Sequence, residues 1–384
     1  MKLTILVSGM VAGVPHHGGA TWAVLQYVLG FKRLGHDVYF VEPITADALL
    51  PTGTSLPDSE NAAYFRQVVR DFEFEEFAAL LLADTQQTVG IPYDALVVLA
   101  RHVDVLINLS GLLADENLLQ HIPRRVYVDL DPAFSQFWHF RQGIDLRFDG
   151  HTHRATVGLS IGQPDCPIPT GGLEWITTLP PVVLEQWPFG QAITCDAFTT
   201  VANWRGYGSI ELDGVQYGQK AHSLRKLIDL PTRTAERFAL ALAIHPNEAS
   251  DLEALGRNGW QLLDPRCVAG SPHDYRRFVA GSKAELGVAK SGYVVSKSGW
   301  FSDRSVGYLA SGRPVIAQET GFSRWLPVGE GLLPFETTGD ALAAIDQLRG
   351  DYGRHTRAAR ELAEAHFDSD RVLARLLDRV GSTG

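Results

Sequence analysis

The chain alternates short, unbroken apolar runs with longer stretches in which apolar residues recur every three or four positions. Lys2–Ser8 is a nearly continuous apolar run and predicts a buried strand. From Thr21 the spacing changes, placing Trp22, Leu25, Val28 and Leu29 on one face of a helix that Gly35 closes. A second strand, Val38–Val41, follows at once. Strand, glycine-bearing loop, helix and strand together open a parallel sheet whose crossover helix covers one face. Val103–Leu109 and Val126–Leu130 extend that sheet, and Ile44–Ala100 reads as mainly helical around a loop at Pro51–Pro57.

Three prolines in Thr178–Phe189 break any helix and hold the residues before them extended, which marks a domain boundary. Beyond it the alternation restarts, with strands predicted at Phe198–Ala202, Ala239–Ile244, Trp260–Leu263, Glu285–Ala289 and Pro314–Gln318. From Thr338 the pattern is helical, ending in an amphipathic stretch at Asp368–Val380. The fold class is therefore α/β, with two doubly wound, Rossmann-like domains facing a cleft. The expected division is residues 1–185, residues 186–365, and a C-terminal helix over 366–384 that packs back on the first domain. Ligand is expected at the strands' carboxyl ends, where open α/β sheets gather their loops. Neither opening loop carries GxGxxG, which points away from dinucleotide dehydrogenases.

Composition narrows the picture. Hydrophobic residues make up 45% of the 384 and charged residues 20%, a globular balance. A formal net charge of −10 argues against a protein that binds nucleic acid through its phosphates. Cys166, Cys195 and Cys267 are scattered without metal-ligand spacing, so the reading is a cytoplasmic protein without a disulfide framework. No stretch reaches the roughly 20 apolar residues that cross a membrane. His139, His151 and His153 lie close in sequence, but such spacing is a weak metal signal, and no metal is assigned.

The chemistry concentrates in Lys290–Phe322, KSGYVVSKSGWFSDRSVGYLASGRPVIAQETGF. A loop of small residues leads into a helix opening near Ser302 or Asp303, which can present backbone N–H groups and a positive dipole end to a phosphate. Lys290, Lys297 and Arg304 add positive charge, and the following strand delivers Gln318, Glu319 and Thr320 toward sugar hydroxyls. Ordinary packing also explains a loop of small residues, though not this concentration of cations at one sheet edge.

This segment resembles the donor-binding signature of GT-B glycosyltransferases. Gly299-Trp300-Phe301-Ser302 is similar to the Gly-Trp-Asn-Ser of plant-type enzymes, and Gln318-Glu319 to their sugar-gripping pair. Ala310-Ser311-Gly312-Arg313-Pro314-Val315 resembles the Ala-x-Gly-x-Pro-Val of the group-one enzymes. Gly18-Gly19 and Gly35-His36-Asp37-Val38 resemble that superfamily's opening. The resemblance implies a GT-B architecture and sugar transfer from a nucleotide diphosphate to an acceptor hydroxyl, without cofactor or metal. Lys290, Lys297, Ser298, Gly299, Trp300, Ser302, Asp303, Arg304, Gln318, Glu319 and Thr320 would hold the donor. Gly18 and Gly19 would approach its phosphates, and Asn203-Trp204-Arg205 is similar to the family's diphosphate-facing loop. Two departures stand out: Ser305-Val306-Gly307-Tyr308 lacks the Glu that holds ribose in many retaining members, and Lys297 or Ser298 replaces the His that opens the plant-type motif.

For the base, two places compete. His16 or His17, after the first strand, can take a proton near neutral pH, and inverting GT-B enzymes place a His there. Asp129 and Asp131 end a buried strand, where carboxylates are costly unless used or paired, and one can equally cap the helix that follows. Phe134, Phe137, Trp138 and Phe140 form an acceptor pocket or a core cluster. An epimerase or hydrolase on the same scaffold, or a nucleotide-sugar-binding protein without catalysis, remains the alternative. Loss of Lys290 or Arg304 is expected to cost donor turnover more than folding.

Overall fold

The computed structural model describes residues 2–381. Met1 and residues 382–384, the outermost positions of the expected first domain and C-terminal segment, lie outside the described residues. The first sheet contains β1 (Thr4–Ser8), β2 (Asp37–Ile44), β3 (Ala78–Leu82), β4 (Thr88–Gly90), β5 (Val105–Leu109), β6 (Arg124–Asp129), β7 (His153–Thr156) and β8 (Ile176–Thr177). Their order is β4-β3-β2-β1-β5-β6-β7-β8, parallel throughout except where β4 turns back on β3. The second sheet contains β9 (Cys195–Asn203), β12 (Phe238–Ala243), β13 (Gln261–Leu263), β14 (Ser282–Gly287), β15 (Val315–Gln318) and β16 (Leu332–Phe335) in the order β13-β12-β9-β14-β15-β16, all parallel. Between β9 and β12 a small antiparallel hairpin, β10 (Ile210–Leu212) and β11 (Val215–Tyr217), projects from the second lobe.

Both sheets are doubly wound. In the first the strand order reverses sense at β1, which pairs with β2 on one side and β5 on the other. In the second it reverses at β9, flanked by β12 and β14. Loops leaving a reversal point diverge to opposite faces and leave a crevice, so the loops after β1, β9 and β14 are where a ligand belongs.

Residues 44–100 depart from the helical expectation. They hold helices Glu60–Asp71 and Tyr93–Ala100, but also β3 and β4. The β3 sequence, AALLL, is buried at every position and has no polar face, so its periodicity could not separate a buried strand from a helix.

The polypeptide passes between lobes twice, and the two passages lie side by side. The Val182 amide donates to the Phe367 carbonyl at 2.7 Å, and the Ser369 amide donates to the Val182 carbonyl at 2.9 Å. The last helix, Ser369–Arg379, carries Leu373 against the Gly18–Arg33 helix of the first lobe, where Gly30 leaves room for it. Trp187, buried between the lobes, packs on Trp22 at 5.0 Å and against the face of Gly307.

Candidate functional site

Where the two reversal points face each other lies a cavity of about 540 Å³, walled by both lobes. His16, His17, Gly18, Gly19, Tyr27 and Asp131 contribute from the first lobe, and Asn203, Tyr207, Lys220, Lys290, Trp300 and Ser302–Arg304 from the second. The Asp303–Ala310 helix begins on this wall. Ser302 is its N-cap but makes no side-chain bond to the first turn, so the first amides of the helix are not closed off by their own cap. This entrance is suited to an anion.

Three cations surround it. Arg304 is fixed by Glu285, with Nε to Oε1 at 2.6 Å, and by the Val201 carbonyl at 3.2 Å. Glu285 is wholly buried and its other carboxylate oxygen has no partner, so Arg304 is its counter-charge. Lys220 is also buried, and its ammonium donates to the Val288 carbonyl at 2.5 Å. Burial first, then the Arg304 charge, pushes the Lys220 ammonium well below its ordinary range. An ammonium so held gains from any anion brought alongside. Lys290, which precedes the Ser291–Ser296 helix, reaches across the cavity to Asp131 at 3.0 Å from both carboxylate oxygens.

Several residues of the expected donor set do not line this cavity. Trp204 is buried in the second lobe's core with its indole N–H on Asp251 at 3.1 Å, because the chain after β9 turns its large apolar side chain inward. Arg205 points out to Glu248, and Lys297 to Glu336 at 2.8 Å. Each exposed cation has found a nearby carboxylate instead of the cavity. Ser298, Gly299, Glu319 and Thr320 brace the loop before the helix. The Gly299 amide donates to the Thr320 carbonyl, Thr320 donates to the Trp300 carbonyl, and Glu319 accepts the Gly321 amide. The Ser298 carbonyl accepts the Ser160 amide of the first lobe, and a Cβ at Gly299 would come within 2.8 Å of that same nitrogen. Gln318 accepts the Ala289 amide at 3.2 Å and sits behind Trp300 and Ser302, one layer back from the cavity.

On the first-lobe wall, Gly18 and Gly19 line the cavity, but their missing Cβ atoms serve lobe contact. A Cβ at Gly18 would lie 2.3 Å from the Ser271 carbonyl oxygen, and one at Gly19 would meet the Tyr275 ring at 2.8 Å. His16 pairs with Glu60 at 2.8 Å, beside Arg266, and His17 loses basicity through burial and the Arg266 charge. Both histidines thus face the Pro265–Ala269 segment. Asp129 is sealed beneath the wall, accepting from Ser135, Gln136, Thr156 and the Asp131 amide at 2.7–3.0 Å. It holds the turn after β6 in shape and has no open face for a substrate proton. Asp131 is the carboxylate that reaches the cavity.

In the aromatic cluster, Phe134 and Phe137 are core, while Trp138 and Phe140 are partly exposed beside it. His151 is buried against Asn108 and the Arg147 carbonyl, His139 accepts the Leu146 amide, and His153 meets Thr152. Among the described residues no three His, Cys, Asp or Glu side chains converge as a metal site, and no helix is long and apolar enough to cross a membrane.

No family model and no curated protein matches the chain by sequence. Solved structures do match over its whole length. An alpha-glucosyltransferase in complex with UDP-glucose and DNA containing an abasic site superposes with a TM-score of 0.63 at 13% identity, covering 99% of this chain and 100% of that one. Anabaena HepE in complex with UDP-glucose superposes with a TM-score of 0.59 at 13% identity over the same shares. The fold is that of the GT-B glycosyltransferases.

Within the Ser305–Tyr308 stretch, which carries no Glu, Gly307 lies against the Trp187 ring, and a Cβ added there would come within 3.1 Å of it. Lys220, Tyr207 and Tyr293 were not found by motif. They come from a short helix, a loop and the segment after Lys290, and only the tertiary fold brings them to one wall. The strongest available signal was Lys290 itself, three residues before Tyr293.

Proposed function

We propose that this chain is a glycosyltransferase that moves a sugar from a nucleoside-diphosphate donor to an acceptor hydroxyl. The observation that carries the reading is the uncapped entrance of the Asp303–Ala310 helix opening into the interlobe cavity beside Lys220, Lys290 and Arg304. A diphosphate leaving group accumulates negative charge as the glycosidic bond to it breaks, and fixed amides with desolvated cations stabilise that charge more than water does. The solved neighbours carry UDP or UDP-glucose, which makes UDP the first nucleotide to test.

The second lobe holds the donor, and the first lobe, residues 1–185, offers the acceptor side. The C-terminal helix ties the second lobe back to the first. For the acceptor's proton the group set against the donor-side lysine is Asp131, while His16 and His17 stand at the Pro265–Ala269 end, where the nucleoside would lie. The acceptor is a small molecule, lipid or glycan; a chain of net charge −10 is poorly suited to nucleic acid, although one neighbour is in complex with DNA. Three unpaired thiols fit a reducing, cytoplasmic setting.

The test is turnover: UDP-glucose and a panel of other nucleotide sugars are incubated with and without glycan, lipid, small-molecule and duplex DNA acceptors. Acceptor-dependent release of UDP or another nucleoside diphosphate is expected. Free sugar or an isomer formed equally well without any acceptor would favour a hydrolase or epimerase.

A further inference from the structure

Asp131 belongs to the first lobe, yet every group that binds its carboxylate comes from the second. Lys290 Nζ lies 3.0 Å from both of its oxygens, and the hydroxyls of Tyr207 and Tyr293 both donate to it. The same ammonium sits over the rings of Tyr207 at 4.1 Å, Tyr293 at 5.3 Å and Phe134 at 5.3 Å. A carboxylate with both oxygens occupied by a cation and two phenols cannot accept a substrate proton. Conversely, a lysine committed to a carboxylate is not available to a phosphate.

The arrangement has the composition of an occupied anion site: one cation, two O–H donors and an anion, at the mouth of a cavity that also holds Lys220 and Arg304. Resting on the glycosyltransferase reading, we propose that Asp131 is an internal anion that occupies Lys290 until the donor's diphosphate takes its place, whereupon Asp131 is released to act as the base for the acceptor. Donor binding is thereby placed before acceptor activation. Lys290 turns from the carboxylate to the diphosphate, exchanging one anion for another. In the transfer step the acceptor oxygen bonds to the anomeric carbon, whose bond to the phosphate oxygen breaks with its electron pair leaving on the diphosphate. The acceptor proton passes to an Asp131 oxygen. Without donor, Asp131 stays covered, and water admitted to the cavity meets no free base.

Calorimetric titration with UDP of the wild type, Asp131→Asn, Lys290→Ala and the double variant tests this, alongside steady-state transfer from UDP-glucose. Removing a competing internal anion is expected to tighten UDP binding about tenfold in Asp131→Asn, while transfer falls at least about a hundredfold with loss of the base. In the Lys290→Ala background the Asp131→Asn change is expected to leave UDP affinity within about twofold, because the competition runs through that ammonium. Tyr207→Phe, which loosens the carboxylate without altering charge, is expected to tighten UDP binding severalfold and guards against a folding defect in Asp131→Asn. Unchanged or weaker UDP binding in both Asp131→Asn and Tyr207→Phe would overturn the proposal, as would tightening that persists without Lys290. A wild type that binds none of UDP, GDP and ADP would overturn the donor reading itself, and this inference with it.

Discussion

Arg304 shows how a site residue also carries structure. The sequence expectation placed it at the donor or on a solvated helix face, but its guanidinium is the counter-charge of buried Glu285, whose second oxygen has no partner. Arg304→Ala leaves that carboxylate uncompensated, an effect that in buried pairs costs about 3–5 kcal/mol. Chemical denaturation should therefore show a larger loss of stability in Arg304→Ala than in Lys290→Ala, whose Asp131 partner is partly exposed; equal stability in the two would contradict the pairing. Glu42 makes a second residue-scale prediction. It is wholly buried, accepting the Ala12 and Gly13 amides at 2.6–2.9 Å and so fixing the loop that leads to His16. Burial raises its carboxyl from the ordinary 4.5 to about 7, against the opposing pull of those amides. With the folded-state value raised, its contribution to stability is complete below pH 4.5 and is lost as pH rises through 7, a change of roughly 3 kcal/mol. The melting-temperature advantage of wild type over Glu42→Gln should shrink across that window, and a difference independent of pH would refute it. Legibility at this scale was uneven: Lys290, Ser302 and Arg304 announced themselves by motif, whereas Trp204 and Arg205 satisfied the same motif logic and were drawn away by Asp251 and Glu248. Lys220 lies in a helix without a signature, and only its burial marks it out.

Among the elements, the Asp303–Ala310 helix was legible because three signals agreed: a Ser N-cap, a Gly stop at 312 and a Pro just before the next strand. Short strands such as β3, β8 and β16 were not, since runs of two to five residues carry no usable period. The start of the Gly18–Arg33 helix has a specific test. Gly18 abuts backbone of the opposite lobe, so a methyl there must displace the Ala269–Ser271 segment. Gly18→Ala is expected to lower both the melting temperature and UDP affinity by shifting one lobe against the other; a variant indistinguishable from wild type would show that the lobes do not meet there. The last helix, Ser369–Arg379, buries Val372, Leu373, Leu376 and Leu377 against the rest of the fold, chiefly on the first lobe. Ending the chain at residue 368 removes that cover. Each buried leucine is worth about 2 kcal/mol, so the truncated protein should be aggregation-prone and melt well below the full chain by differential scanning calorimetry. An unaltered melting profile would mean the helix is dispensable.

At the scale of the molecule, the two α/β lobes follow from the repeated strand–helix alternation and the proline-rich break between them. What the sequence could not supply was how the lobes face each other, because no residue near Lys290 encodes its partner 159 positions away. That facing creates the cavity: the Asp303–Ala310 helix entrance with Lys220 and Arg304 on one wall, the covered Asp131 carboxylate on the other, and the two crossing segments bonded through Val182, Phe367 and Ser369. It also makes protonation part of binding. Burial first, then the Arg304 charge, lowers the Lys220 pKa, so a diphosphate arriving beside it should favour the protonated form of its amine. UDP affinity should therefore fall as pH rises through the Lys220 pKa of the free protein, and a pH-independent affinity would speak against this coupling. The measurement that tests the account most directly is the UDP affinity of Lys220→Met. Replacing a buried ammonium with an apolar side chain of similar length is expected to leave the melting temperature equal or higher while weakening UDP binding at least about tenfold. A Lys220→Met protein that binds UDP as tightly as wild type would contradict a diphosphate held at this wall.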